Sequence, residues 1–328
     1  MKASSPAQFA ASRSGEVPPL ERVREGIWAL GTAMPGGHIP YSLLYLVRDT
    51  DSGIHIVDPG WDSDTNWDGL VAALASIGAS VAAIQSVTVT HLHPDHVGMA
   101  QRVHLESGAP VQMHATEARD LEIAGPGGWS PSAVVQELDD WMVPDARRAE
   151  IETMLDHAPP HLTVEVGRLL QDGDRLDIPG FDLIAMLTPG HTAGSVCIRG
   201  DAQQVMLTGD VLLPTMHGGL GLGGPTETNP LQDYLASLDA LKRYPDHEVL
   251  PGHGYRFTGL VARADKSAAH HLKRTGEVAA VLADDPDASV WDIASRLTWT
   301  AGWDNLSGFF AYSALWQTAM HREYLSLR

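Results

Sequence analysis

The 328-residue chain predicts a mixed α/β fold, with sheets covered by helices and a small helical module at the C-terminal end. Three observations predict it. Apolar runs rich in β-branched residues, bounded by Gly, Asp and Pro, recur through the first two thirds: YSLLYLV from Tyr41, GIHIVD from Gly53, IQSVTVT from Ile84, FDLIAML from Phe181, SVCI from Ser195 and QVMLTGD from Gln204. Helical patterns such as Asn66 to Ser76 and Leu231 to Tyr244 lie between them. From about Asp265 onward the strand pattern disappears, and Lys266 to Leu282, Ser289 to Leu297 and Gly308 to Leu327 read as helices.

These patterns divide the chain into a lead-in over residues 1–20, a main domain over 21–264 and a helical module over 265–328. The lead-in is small, polar and Pro-containing, and is expected to be mobile; it holds no apolar stretch long enough for a secretory signal. Within the main domain the acid-rich stretch from Glu117 to His161 has no strand pattern and reads as a helical insertion. No repeat at a period of roughly 20 to 50 residues is present. No run of about 18 apolar residues occurs, so no membrane span is expected and a cytoplasmic location follows by default. Cys197 is the only cysteine, which excludes an intramolecular disulfide and a thiolate-rich metal site. With 22 Lys plus Arg against 41 Asp plus Glu, the formal charge of −19 repels polyanions and disfavours nucleic acid as a substrate.

The chemistry is concentrated in T-H-L-H-P-D-H-V-G, where His91, His93, Asp95 and His96 follow directly on a strand-like run. Four nitrogen and oxygen donors on a turn at a strand end can point into one cleft, and borderline cations, zinc above all, prefer imidazole and carboxylate donors. Three more candidates each end a strand-like run beside a glycine: His191 in T-P-G-H-T-A-G-S, Asp210 in L-T-G-D and His253 in L-P-G-H-G. Each alone reads as an ordinary turn or cap. Taken together, five histidines and two aspartates are enough for two cations with positions left for water.

These motifs, in this order and spacing, resemble the metallo-β-lactamase superfamily over roughly Val23 to Phe257. The resemblance implies an αββα sandwich with the site at one edge of its two sheets. It implies that His91, His93 and His191 hold one metal, that Asp95, His96 and His253 hold a second, and that Asp210 bridges them. Asp58, ending G-I-H-I-V-D, would support the metal-site loop from behind the ligands. The occupants implied are two divalent ions, zinc first, with manganese or iron as alternatives. β-Lactamases of the commonest type carry a cysteine where this chain has Asp210, so antibiotic cleavage is not expected. Members that share the full set hydrolyse esters, thioesters, lactones or phosphodiesters, or act as single-iron persulfide dioxygenases. The N-P-L-Q-D-Y-L-A-S-L segment and the closing helices resemble members with a winged-helix-like C-terminal domain. Acids outnumber bases there, which favours packing or homodimerisation over nucleic-acid binding.

The reaction implied is attack by a metal-activated water on an ester, thioester or lactone of a small molecule with an apolar portion, with Asp95 also orienting the water and passing its proton to the leaving group. Phosphodiester or RNA cleavage by the same centre, and persulfide oxidation on one iron, are the rival readings. Trp129, Trp141 and Met142 of the insertion form an apolar wall over the cleft or pack its own helices. Tyr255 and Arg256, beside His253, are substrate contacts or plain loop residues. The glycine-rich run from His217 to Gly224 reads as a mobile rim, and His217, His55, His104, His114 and His157 take structural readings.

Overall fold

Side chains alternate across a strand, so a strand buried along its length needs a partner layer on each side. The segment Tyr41–Arg48 meets that condition, with every residue but Arg48 buried. Tyr41, Leu43, Tyr45 and Val47 enter one apolar cluster while Leu44 and Leu46 enter another. The computed structural model describes residues 1–36, 39–124, 131–153, 155, 162–224 and 226–328.

The strands are β1 (Lys2–Ala3), β2 (Glu21–Arg24), β3 (Ile27–Ala33), β4 (Tyr41–Arg48), β5 (Ile54–Val57), β6 (Ile84–Thr88), β7 (Val111–His114), β8 (Val166–Leu170), β9 (Leu183–Leu187), β10 (Val196–Gly200), β11 (Val205–Gly209), β12 (Glu248–Pro251) and β13 (Phe257–Thr258). The helices are α1 (Pro6–Ser14), α2 (Asp64–Ser76), α3 (Pro94–Val97), α4 (Ala100–Ser107), α5 (Ala115–Ala124), α6 (Pro131–Asp140), α7 (Asp145–Glu152), α8 (Pro230–Leu241), α9 (Leu260–Asp284), α10 (Val290–Arg296) and α11 (Gly308–Ser326).

β2 to β8 form a seven-stranded sheet in sequential order, and the other six strands form a second sheet in the order β1-β13-β12-β11-β10-β9. One residue register decides which core each side chain joins. Ile198, Leu207 and Leu250 face the first sheet across a shared core with Ile27, Leu43 and Val57, while their neighbours Cys197, Met206 and Val249 face α8, α9 and α11. On the outer face of the first sheet, Leu46, Ile56 and Val87 pack on Leu70 and Leu74 of α2 and Val103 of α4. The result is the expected helix–sheet–sheet–helix order. Asp58, Thr90 to His96, His191, Asp210 and His253 all lie where the chain leaves the C-terminal ends of β5, β6, β9, β11 and β12, so they meet along one edge of the sandwich.

Three expectations are corrected. Residues 2–14 are not a mobile lead-in: β1 pairs antiparallel with β13, and Ser5 caps α1 by accepting the Gln8 amide. The domain boundary after residue 264 falls inside the single helix α9. Among the described residues no strand follows Thr258, so the C-terminal module has helices without a wing. The described insertion helices pack against the C-terminal ones. Val134, Leu138, Trp141 and Ile151 share one core with Val290, Ala311 and Leu315 of the C-terminal helices.

Candidate metal centre

Asp58 organises the centre from behind. It follows the last residue of β5 with φ +53°, a left-handed conformation that costs a non-glycine residue about 1–3 kcal/mol and persists only where its surroundings enforce it. Its Oδ1 accepts the Thr90 amide at 2.7 Å, and its Oδ2 accepts the Thr90 hydroxyl at 2.7 Å and His96 Nδ1 at 2.8 Å. The Thr90 oxygen, its proton committed to Asp58, is left to accept from His91 Nδ1 at 3.0 Å. Pro94 then starts the one-turn helix α3 that carries Asp95 and His96.

The remaining histidines are held the same way. His93 Nε2 donates to the Leu222 carbonyl, His191 Nδ1 to the Gly219 carbonyl and His253 Nδ1 to the Tyr41 carbonyl, at 2.7, 2.7 and 2.8 Å. Carbonyls only accept, so each of these bonds fixes the tautomer and turns the other ring nitrogen, with its lone pair, into the cleft. There the lone pairs meet. His91 Nε2, His93 Nδ1 and His191 Nε2 lie 3.0, 3.1 and 3.3 Å from one another with no proton left to share among them. His253 Nε2 faces Asp95 Oδ2 at 3.0 Å and Asp210 Oδ2 at 3.4 Å. His96 Nε2 and Asp210 Oδ1 are buried without a hydrogen-bond partner. Converging, unpartnered donors fit a bound cation, which accepts every lone pair at once. Among the described residues, the groups able to hold one ion are His91, His93 and His191; His91, His96 and Asp210; and Asp95, His96 and His253.

In the metal-free protein protons stand in where cations would. Burial alone lowers an imidazole, but at His253 the Asp210 and Asp95 carboxylates outweigh it and raise the ring to about 10. At His96 the Asp95, Asp210 and Asp58 carboxylates likewise outweigh burial and hold it well above the ordinary range. The all-histidine group moves the other way, with burial and the neighbouring His93 ring lowering His191 to about 4.

Gly252 makes room for this arrangement. A Cβ there would lie 2.5 Å from Asp210 Oδ1 and 2.6 Å from His96 Cε1, inside the cluster itself.

All seven donor residues and Asp58 are thus brought together, whereas the expected substrate contacts are not. Tyr255 is buried, with its ring 5.0 Å from Phe9 of α1. Arg256 is buried in ion pairs with Glu248 and Glu21 at 2.7 Å each, and its amide donates to Gln8. The Tyr255 side chain is committed to the N-terminal helix and that of Arg256 to joining β12 to β2. Trp141 packs beside Tyr312 and Trp316 at 5.5 and 6.3 Å, in the core shared with the C-terminal helices. Met142, on the turn after α6, is exposed at φ +61°. Trp129 and His157 lie outside the described residues. His55 bonds Asp49 and Ser86, and His104 donates to the Ala109 carbonyl, so both have structural partners.

Two features carry no mark in the sequence of the part they play in the centre. The glycine-rich run supplies the carbonyls that orient His93 and His191 and is a strap rather than a loose rim. Its own anchors are α11, through Trp316 Nε1 on the Leu220 carbonyl at 3.1 Å, and α9, through the buried Arg263 guanidinium on the Leu213 and Met216 carbonyls. Glu117 is the other, a fully buried carboxylate between the two histidine turns.

A sequence profile described as the Metallo-beta-lactamase superfamily matches residues 40–253, the span that contains every donor. The chain belongs to the metallo-β-lactamase superfamily. Within it, the chain is 24% identical over 294 residues to the Beta-lactamase-like protein 2 homolog of Caenorhabditis elegans, covering 88% of this chain and 81% of that protein. It is 29% identical over 191 residues to Acyl-coenzyme A thioesterase MBLAC2 of Gallus gallus, covering 57% of this chain and 62% of that protein. Among solved structures it resembles the metallo-beta-lactamase family protein TTHA1429 of Thermus thermophilus, with a TM-score of 0.69 and 25% identity over 93% of this chain and 95% of that one. Coverage of that extent takes in the helices after Thr258 as well as the sheets. Members of the superfamily are in general metal-dependent hydrolases.

Proposed function

We propose that the protein is a hydrolase that uses two divalent ions to cleave the carbonyl ester or thioester of a small molecule with an apolar portion. The observation that carries this reading is the position of Asp210. Its two oxygens lie 3.5 Å from His96 Nε2, 3.4 Å from His253 Nε2 and 3.8 Å from His191 Nε2, between the all-histidine group and the group of Asp95, His96 and His253. A carboxylate so placed would help to hold two ions, one otherwise held by His91, His93 and His191 and the other by Asp95, His96 and His253. Zinc suits this imidazole and carboxylate set best, with manganese and iron as other occupants. The thioester is the first substrate class to test because the Gallus gallus relative is named an acyl-coenzyme A thioesterase.

When bound, such ions polarise a carbonyl and lower the pKa of water from roughly 16 to about 7. The chain's own part is to place and protect. Carbonyl-anchored imidazoles keep their lone pairs fixed, so no reorganisation is needed as charge develops. Asp95, whose Oδ2 lies beside His253, would take the proton of the attacking water and return it to the leaving sulfur or oxygen.

The test is elemental analysis of the purified protein together with turnover of an acyl thioester, an aryl ester, a lactone and bis-nitrophenyl phosphate, for wild type and Asp210→Ala. Two equivalents of zinc or manganese, and carbonyl turnover that disappears in the variant, are expected. One equivalent of iron without hydrolysis, or phosphodiester turnover alone, would overturn the reading.

A further inference from the structure

We propose that Glu117 is a positioning residue for the metal centre, its carboxylate tying the turn that carries His91 and His93 to the turn that carries His191. The inference rests on reading the donor cluster as a metal centre. It goes further in assigning to a residue outside the ligand set the spacing of one of the two ion sites.

Glu117 stands in the first turn of α5 and is fully buried. Among the described residues it forms no ion pair with Lys, Arg or His. Instead its Oε2 accepts the Leu92 amide at 2.8 Å and its Oε1 accepts the Gly194 amide at 2.7 Å. Leu92 lies between His91 and His93, and Gly194 follows His191 by three residues. The carboxylate is therefore a two-pronged clamp across the mouth formed by these turns, and the three imidazole nitrogens that converge at 3.0 to 3.3 Å belong to the segments it joins. The fit is tight on the far side too. A Cβ on Gly194 would lie 2.9 Å from Glu117 Oε1 and equally close to His114 Nδ1, so nothing larger than glycine lets the second amide reach its acceptor.

Burying a carboxylate without a cation is unfavourable, and burial pushes this one up to about 7 against the pull of the Leu92 and Gly194 amides and the Thr192 hydroxyl. A neutral apolar side chain would fill the space at lower cost, but it could not accept two amides. Glutamine could accept only one, and its NH2 would face the other N–H, donor against donor. His96 and His253, of the other ion group, are held by Asp58 and the Tyr41 carbonyl, away from this clamp. A positioning role thus predicts damage to one ion site and not to both, which a general contribution to folding does not.

The experiment uses the full chain, stripped with a chelator and titrated with Co(II), following the visible ligand-field spectrum and the affinity of each equivalent by competition with a chromophoric chelator. Glu137→Gln serves as the control, since it removes a part-buried acid of the same insertion that bonds Tyr312 rather than the centre. In Glu117→Gln one of two equivalents is expected to weaken by about 10- to 100-fold with an altered spectrum. In Glu137→Gln both equivalents and the spectrum stay as in wild type even if the metal-free protein melts earlier. Should Glu117→Gln fail to fold, Glu117→Asp, with both acceptors one methylene short, is expected to show the same selective loss. Wild-type affinity and spectrum for both equivalents in a folded Glu117 variant, or equal weakening of both, would overturn the assignment and leave the metal centre standing. Failure of the wild type to bind Co(II) would overturn the metal centre itself.

Discussion

Asp58 receives three protons' worth of hydrogen bonds from only two residues, Thr90 and His96, and through them sets the rings of both His96 and His91. Asp58→Ala would leave an amide, a hydroxyl and an imidazole N–H buried without an acceptor, at about 1–3 kcal/mol each. We expect it to fold poorly or, where folded, to lose about 10- to 100-fold in metal affinity, measured by chelator competition on the soluble fraction. Arg256 makes the opposite prediction although it is only three residues from His253. Its buried partner Glu248 keeps Arg24 and Ser4, so Arg256→Ala removes charged hydrogen bonds without stranding the carboxylate and is expected to cost about 1–3 kcal/mol in a denaturant melt. Turnover per folded, metal-loaded molecule should be unchanged. A selective rise in KM would show that the side chain touches substrate after all.

At the scale of elements, the strap from His217 to Gly224 connects the C-terminal helices to two ligands. Gly221, at φ +69°, brings the backbone against Trp316, where a Cβ would lie 2.6 Å from Nε1. Trp316→Phe keeps the apolar body of the side chain but removes the donor to the Leu220 carbonyl. The strap's Gly219 and Leu222 carbonyls should then orient His191 and His93 less firmly. The expected result is a fall in kcat of several-fold with a smaller change in KM, together with a weaker first metal equivalent. A fall in melting temperature alone would confine Trp316 to packing. The sequence marks this strap only as flexible, because glycine reads the same whether it supplies freedom or close approach.

Over the whole molecule, the strap, α9 and α11 meet at His217, His270, His271 and His321. Burial first, then the neighbouring rings and Arg274, lower His271 to about 3 and His321 to about 4; burial, His270 and Arg263 lower His217 to about 4. A histidine kept neutral in the fold but free to take a proton near pH 6.5 when unfolded favours unfolding in acid. The stability it gives is present above about pH 6.5 and is lost as pH falls toward about 4. His321→Gln in chelator-stripped protein should therefore narrow the difference in melting temperature between pH 7 and pH 5. An unchanged difference would place the acid sensitivity elsewhere.

The same scale separates what was legible in the sequence from what was not. Sheets covered by helices could be anticipated from strand-like runs and helical patterns, because periodicity is a local property of the chain, whereas the αββα order was implied by the resemblance of the donor motifs. The ligand cluster could be found because four donors crowd into six residues after β6 and three more sit at strand ends, where a sandwich gathers its loops. Tertiary structure alone decided the rest. Glu117 reaches Leu92 across 25 residues and Gly194 across 77, separations that leave no pattern. Tyr255 and Arg256 stand beside a ligand in sequence, but Tyr255 packs on α1 and Arg256 pairs with Glu248 and Glu21, partners that only the folded chain brings near. The polar N-terminal segment looked loose because a two-residue strand and one helix have no signature until β13 and Arg256 are there to receive them. Donor type and order are written locally and can be read directly. Which groups hold the donors in place depends on contacts between distant segments, and those exist only once the chain has folded.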